Sequence, residues 1–69
     1  MAEPTLGVRL KEARVRAGLT QAELAELVSV SRKTINTVEN GVFVPSTLLA
    51  LKLAQALRRR VEDLFYLED

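Results

Sequence analysis

Two short amphipathic segments separated by only Ser29-Val30 constrain this chain of 69 residues more than any other feature. Thr20 is a good N-cap, and Glu23 follows three residues later. Hydroxyl and carboxylate at that spacing satisfy each other's orphan backbone donors at a helix start. Leu24, Leu27 and Val28, with Ala25 beside them, form the apolar face of a helix expected over residues 21–28. Ser31 is the next N-cap. Ile35 and Val38 form the inward face of a second helix, over 32–39, closed by Asn40-Gly41. So short a connection makes the helices cross steeply and at close range. That crossing needs a small residue at the point of approach and apolar residues in the turn and on the second helix's back. Ala25, Val30, Ile35 and Val38 meet these needs.

The rest of the chain reads as support for this pair. Met1–Thr5 is a loose start, and Leu6, Leu10, Ala13 and Ala17 share one helical face, which predicts a helix over about 6–17 ended by Gly18. After an apolar loop, Val42-Phe43-Val44-Pro45, Ser46 caps a helix over 47–57 whose core face is Leu49, Ala50, Leu53, Ala54 and Leu57. Leu48 and Leu51 add apolar surface off that face. Arg58-Arg59-Arg60 interrupts the pattern, and Val61, Leu64 and Phe65 predict a fifth helix over 61–66. The expected fold is therefore all-α, one domain of five helices with no strand pattern, repeat or linker. A domain this small buries only about 60% of its unfolded surface. With no cysteine and no histidine, disulfides and Cys/His zinc are excluded, and no cofactor or metal is expected. Tight helix packing, helped by a homodimer, is the remaining route to stability. No signal peptide is expected, and the sequence holds no apolar run of membrane-spanning length. The lack of cysteine fits a reducing cytoplasm.

On the second helix of the pair, Arg32, Lys33, Asn36 and Thr37 face away from the core as one continuous stripe. All four can hydrogen-bond. The major groove of DNA is about 12 Å wide and admits one helix, whose arginine or lysine suits guanine O6/N7 and whose asparagine suits adenine. Two helices so arranged form a helix-turn-helix, which presents such a helix N-terminus to that groove. Charge agrees: residues 1–60 carry ten Lys/Arg against five acids, and residues 61–69 carry four acids and no base, so a body near +5 offsets a tail near −4. Such a body suits a polyanion held on one face.

Here the chain resembles the phage Cro/repressor type of helix-turn-helix, the XRE family. The resemblance is carried by Leu10-Lys-Glu-Ala-Arg-Val-Arg-Ala-Gly-Leu-Thr-Gln-Ala-Glu-Leu-Ala, by Thr34-Ile-Asn-Thr-Val-Glu-Asn-Gly, by Pro45-Ser46, by Ala50–Leu57 and by Val61-Glu-Asp-Leu-Phe65. It implies a five-helix lambda-repressor-like domain and assigns roles. Arg32, Lys33 and Thr37 occupy base-reading positions, with Asn36 beside them touching a base or the backbone. Gln21 would hold a phosphate, reaching an outer base in some relatives. Asn40 and the amides of Gly41, Val42 and Phe43 would grip phosphate after the recognition helix. Arg14 and Glu39 match an internal ion pair, with direct phosphate contact as the rival role for Arg14.

Three departures from the family pattern stand out. Ser29 replaces a usual glycine. Val42-Phe43-Val44 stands where a Lys or Arg often follows Gly41. Arg58-Arg59-Arg60 replaces a Gly-x-Ser, so the fourth helix is expected to end less sharply. Those arginines lie about 18 Å from the start of that helix, which favours a solvated loop or pairing with Glu62, Asp63 or a partner over phosphate contact.

Catalysis is not expected. There is no histidine, cysteine, phosphate loop or convincing carboxylate pair. The expected function is a sequence-specific DNA-binding regulator, a repressor by default. It would bind a pseudo-palindromic operator as a two-fold dimer, in the cytoplasm, without a small-molecule ligand. Phe43, Leu48, Leu51, Tyr66 and Leu67 are the candidate dimer contacts. The alternatives are a protein-interaction module, antitoxin-like or coactivator-like, or the DNA-binding part of a longer regulator.

Overall fold

The computed structural model describes residues 3–68, so Met1, Ala2 and Asp69, which belong to the expected loose start and acidic tail, lie outside it. The elements in order are β1 (Thr5–Val8), α1 (Leu10–Arg16), α2 (Gln21–Leu27), α3 (Arg32–Glu39), α4 (Thr47–Leu57), α5 (Val61–Leu64) and β2 (Phe65–Glu68). Leu10, Leu24, Ile35, Val38, Leu53 and Leu64 are fully buried at the centre, each from a different helix except for the α3 pair.

The domain is not purely all-α. The first turns expected of helix 1 and the last of helix 5 are instead the strands β1 and β2, paired antiparallel with Leu6 opposite Leu67 and Gly7 opposite Tyr66. The physical reason lies at Gly7. Glycine is costly inside a helix, and here its missing side chain makes room for a ring. A Cβ built on Gly7 would fall 2.2 Å from Tyr66 Cζ. The other edge of the ring's environment is Arg9, whose guanidinium sits 4.2 Å from the ring centroid, a cation–π stack.

Helices α2, α3 and α4 begin as the capping residues demand. Thr20 Oγ1 accepts from Glu23 N–H at 3.0 Å while Glu23 Oε1 accepts from Thr20 N–H at 2.8 Å. Ser31 caps α3 through Thr34 N–H at 3.1 Å, and Ser46 caps α4 through Leu49 N–H at 3.1 Å. Two assignments of faces change. Leu27 is exposed, because Leu24, Ala25 and Val28 centre the buried arc and Leu27 falls beyond its edge. Ala17 is exposed too, and on α1 the buried residues are Leu10 and Arg14.

Four helices end in the same way. After α1, α2, α3 and α4 a residue with positive φ turns the chain: Gly18 (75°), Ser29 (59°), Gly41 (72°) and Arg58 (54°). In each case the following amide reaches back to the carbonyl five residues earlier: Leu19 to Arg14, Val30 to Ala25, Val42 to Thr37 and Arg59 to Ala54, at 2.9–3.2 Å. This is the Schellman closure. Helix α4 therefore ends sharply after all, with Arg58 in the left-handed conformation that glycine would take at lower cost.

Candidate nucleic-acid interface

The Ser29 turn and the Ser31 cap together aim the first turn of α3 outward. Arg32 and Lys33 are exposed, and among the described residues neither has a carboxylate within ion-pair distance. Asn36 is exposed one turn further on, and Thr37 is half-buried. The stripe read from the sequence is thus brought together on one face. Thr37 Oγ1 donates to Thr34 carbonyl oxygen at 2.9 Å, so its hydroxyl proton is used and its lone pairs remain.

Behind the stripe lies the ion pair. Arg14 Nε donates to Glu39 Oε2 at 2.6 Å, Arg14 Nη2 to Oε1 at 3.3 Å, and Arg14 Nη1 to the Leu19 carbonyl at 2.8 Å. The Arg14 side chain is 10% exposed and that of Glu39 is 2%. The guanidinium is committed to α3 and to the α1–α2 loop. The pair also removes Glu39's charge from the face that carries Arg32 and Lys33.

On the surface side, Glu39 Oε1 also accepts from Gln21 Nε2 at 3.0 Å. Gln21 Nε2 donates a second time, to Asn36 Oδ1 at 3.2 Å, and Asn40 Nδ2 donates to the same oxygen at 3.3 Å. Gln21, Asn36, Asn40 and Glu39 are therefore one connected network across α2 and α3. Sequence reading singled out all four, but not their mutual bonds, which no spacing rule announces. The amides of Gly41, Val42 and Phe43, expected on phosphate, already donate within the chain: Gly41 to Val38, and Val42 and Phe43 both to Thr37, at 2.9–3.2 Å.

The candidate dimer contacts separate. Leu67 is 74% exposed, Leu48 64%, Leu51 54% and Phe43 47%. Tyr66 instead lies half-buried against Gly7 and Arg9 of its own chain. Of the three arginines after α4, Arg60 pairs with exposed Glu62 at 2.8 Å and gives its N–H to Asp63 Oδ2 at 3.1 Å, while Arg58 and Arg59 form the helix closure. Among the described residues no helix is long and apolar enough to cross a membrane.

A small helical domain with a capped, outward-pointing recognition helix and an exposed basic first turn defines a helix-turn-helix DNA-binding protein. The comparisons agree. The helix-turn-helix family model HTH_3 matches residues 10–64, and the chain belongs to this family of XRE-type transcriptional regulators. It is 46% identical over 61 residues to the HTH-type transcriptional regulator YgzD of Bacillus subtilis, covering 88% of this chain and 92% of that one. It is 48% identical over 61 residues to an HTH-type transcriptional regulator of Methanothermobacter thermautotrophicus, covering 87% and 88%. In structure it is similar to the restriction-modification controller protein C.AhdI of Aeromonas hydrophila, with a TM-score of 0.76 and 38% identity over 80% of this chain and 83% of that one. The chain is a DNA-binding transcriptional regulator.

Proposed function

We propose that this regulator binds duplex DNA as a two-fold dimer, with the two α3 helices in successive major grooves about 34 Å apart on a pseudo-palindromic operator. It represses by occupying a promoter, in the cytoplasm. Arg32 and Lys33 read bases from the first turn of α3, with guanine O6/N7 their natural partner. Thr37, its proton spent on Thr34, offers lone pairs and a methyl group. Asn40 faces the phosphates beyond α3, while the amides of Gly41, Val42 and Phe43 shape the loop that holds it. The second protomer covers the exposed leucines of α4, Leu48 and Leu51, and Leu67 and Phe43 extend that apolar surface. The observation that carries the reading is the pair of exposed cations on the first turn of α3, without an ion-pair partner among the described residues, above an acid neutralised from behind.

Selection of tight-binding duplexes from a randomised pool, at near-physiological salt, tests it. The expected product is an inverted repeat with half-sites one turn apart. Arg32→Ala should cost about 1–3 kcal/mol and relax preference at one base pair. Equal weakening on every duplex would remove Arg32 as a base reader. A single half-site would remove the dimer.

A further inference from the structure

The amide network on the DNA-facing surface has a direction, and charge sets it. A carboxylate can only accept hydrogen bonds. Glu39 therefore requires Gln21 to turn its amino group inward, and the 3.0 Å contact is with Nε2. The second hydrogen of that amino group points to Asn36, which must answer with its oxygen, at 3.2 Å. The same oxygen then takes Asn40 Nδ2 at 3.3 Å. At each step the choice between oxygen and nitrogen follows from the one before, starting from the anion locked to Arg14.

The consequence is an inventory of what remains for DNA. Both amino hydrogens of Gln21 are spent, and among the described residues nothing donates to its Oε1. Toward DNA this side chain is an acceptor only. While both bonds are kept it cannot donate to a phosphate oxygen, which is itself an acceptor. In the major groove the groups that meet an acceptor are exocyclic amines, N4 of cytosine and N6 of adenine. Asn36 is the mirror case: its oxygen already accepts twice, so Nδ2 is what it offers. Its bidentate grip on adenine, which needs oxygen and nitrogen together, is unavailable while Gln21 and Asn40 hold that oxygen.

We propose that the buried Arg14–Glu39 pair fixes the donor–acceptor polarity of Gln21, Asn36 and Asn40. Gln21 thereby becomes a specificity-determining acceptor for an amine-bearing base at the α2 edge of each half-site, and Asn36 a donor. This rests on the DNA-reading assignment of the α3 face and departs from the phosphate role that the resemblance gives the Gln21 side chain.

The experiment uses the full chain and the operator it selects. At the position whose preference changes in Gln21→Ala, the base amine alone is deleted, by purine for adenine or 2-pyrimidinone for cytosine. Native protein is expected to lose about five- to tenfold in affinity on amine deletion, the scale of one groove hydrogen bond. Gln21→Ala should lose nothing further. Asn36→Ala, which frees one Gln21 hydrogen, should blunt the discrimination. Gln21→Ala weakening all duplexes equally, with amine deletion mattering as much in the variant as in the native chain, overturns the proposal and returns Gln21 to phosphate. If the native chain enriches no sequence, the DNA-reading assignment beneath it falls as well.

Discussion

Glu39→Gln removes one charge and almost no volume, and its expected effect can be worked from the contacts. Glu39 Oε2 accepts from Arg14 Nε, and Oε1 accepts from Arg14 Nη2 and Gln21 Nε2. A glutamine in this position offers one oxygen and one amino group. Either orientation sets that amino group against a donor, Arg14 on one side or Arg14 and Gln21 on the other. The guanidinium, 10% exposed, keeps only its bond to the Leu19 carbonyl and whatever one amide oxygen supplies. Breaking a buried pair by removing one partner costs about 3–5 kcal/mol. The retained oxygen and volume place this case near 3 kcal/mol, at the lower end of that range. A domain of this length is worth only about 3–10 kcal/mol in total, and each kcal/mol lowers Tm by about 4–8 °C at this size. The variant should therefore melt roughly 12–24 °C lower, with a proportionate fall in the urea midpoint followed by far-UV circular dichroism. Raising salt should change the difference little, because a pair this buried is weakly screened. Replacing both partners, Arg14→Met with Glu39→Leu, should recover much of the loss, since an apolar pair of similar volume is often no worse than the ions. A loss below about 1 kcal/mol for Glu39→Gln would refute the argument, because the pair would then behave as a surface ion pair.

The other expectations are smaller but sharper in sign. Ser29→Gly and Arg58→Gly should each stabilise by about 1 kcal/mol, because both residues hold positive φ with a side chain attached; a loss in denaturant melts at either site would show that its side chain contributes more than its strain costs. Gly7→Ala should destabilise by about 1–3 kcal/mol, since the new methyl displaces the Tyr66 ring, and should cost less in a Tyr66→Leu background. Glu23 is held below the usual carboxylate range by the backbone N–H of Thr20, then by the Thr20 hydroxyl. A depressed folded value contributes stability above the unfolded pKa that is lost as pH falls through the folded one, so Glu23→Gln should flatten the acid limb of the stability profile, and an unchanged limb would exclude that contribution.

What could be read in advance followed from how local the determining forces are. Thr20, Ser31 and Ser46 announce their helices because a cap is satisfied within three residues, and the stripe of Arg32, Lys33, Asn36 and Thr37 follows from helical period alone. The sheet was hidden because its evidence is split between chain ends some sixty residues apart, Leu6 opposite Leu67. Each strand is only four residues long, and Leu6 with Leu10 mimics a helical repeat. Gly7 is the residue that could have told, since a glycine in the first turn of an expected helix asks for a reason, and the reason is Tyr66. The sharp end of α4 carries no glycine to announce it, although the turn there is left-handed. Arg58 takes that conformation because Arg59 N–H and Ala54 carbonyl close around it.

The site differs from the fold in the kind of information it needs. Gln21, Asn36, Asn40 and Glu39 were each visible as polar residues at meaningful positions, and each can hydrogen-bond in more than one sense. Carboxamides are ambivalent, with donor and acceptor side by side on one flat group. Their sense is decided only when a group that is not ambivalent is packed against them. Here that group is a carboxylate held by α1 from beneath, so a residue behind the surface decides which atoms the amides in front of it turn outward. Swapping the buried pair for apolar residues should then restore stability without restoring the base preference at the Gln21 position. A double variant Arg14→Met, Glu39→Leu that melts close to the native chain yet selects the same base there would separate the two roles and leave the pair a purely structural one.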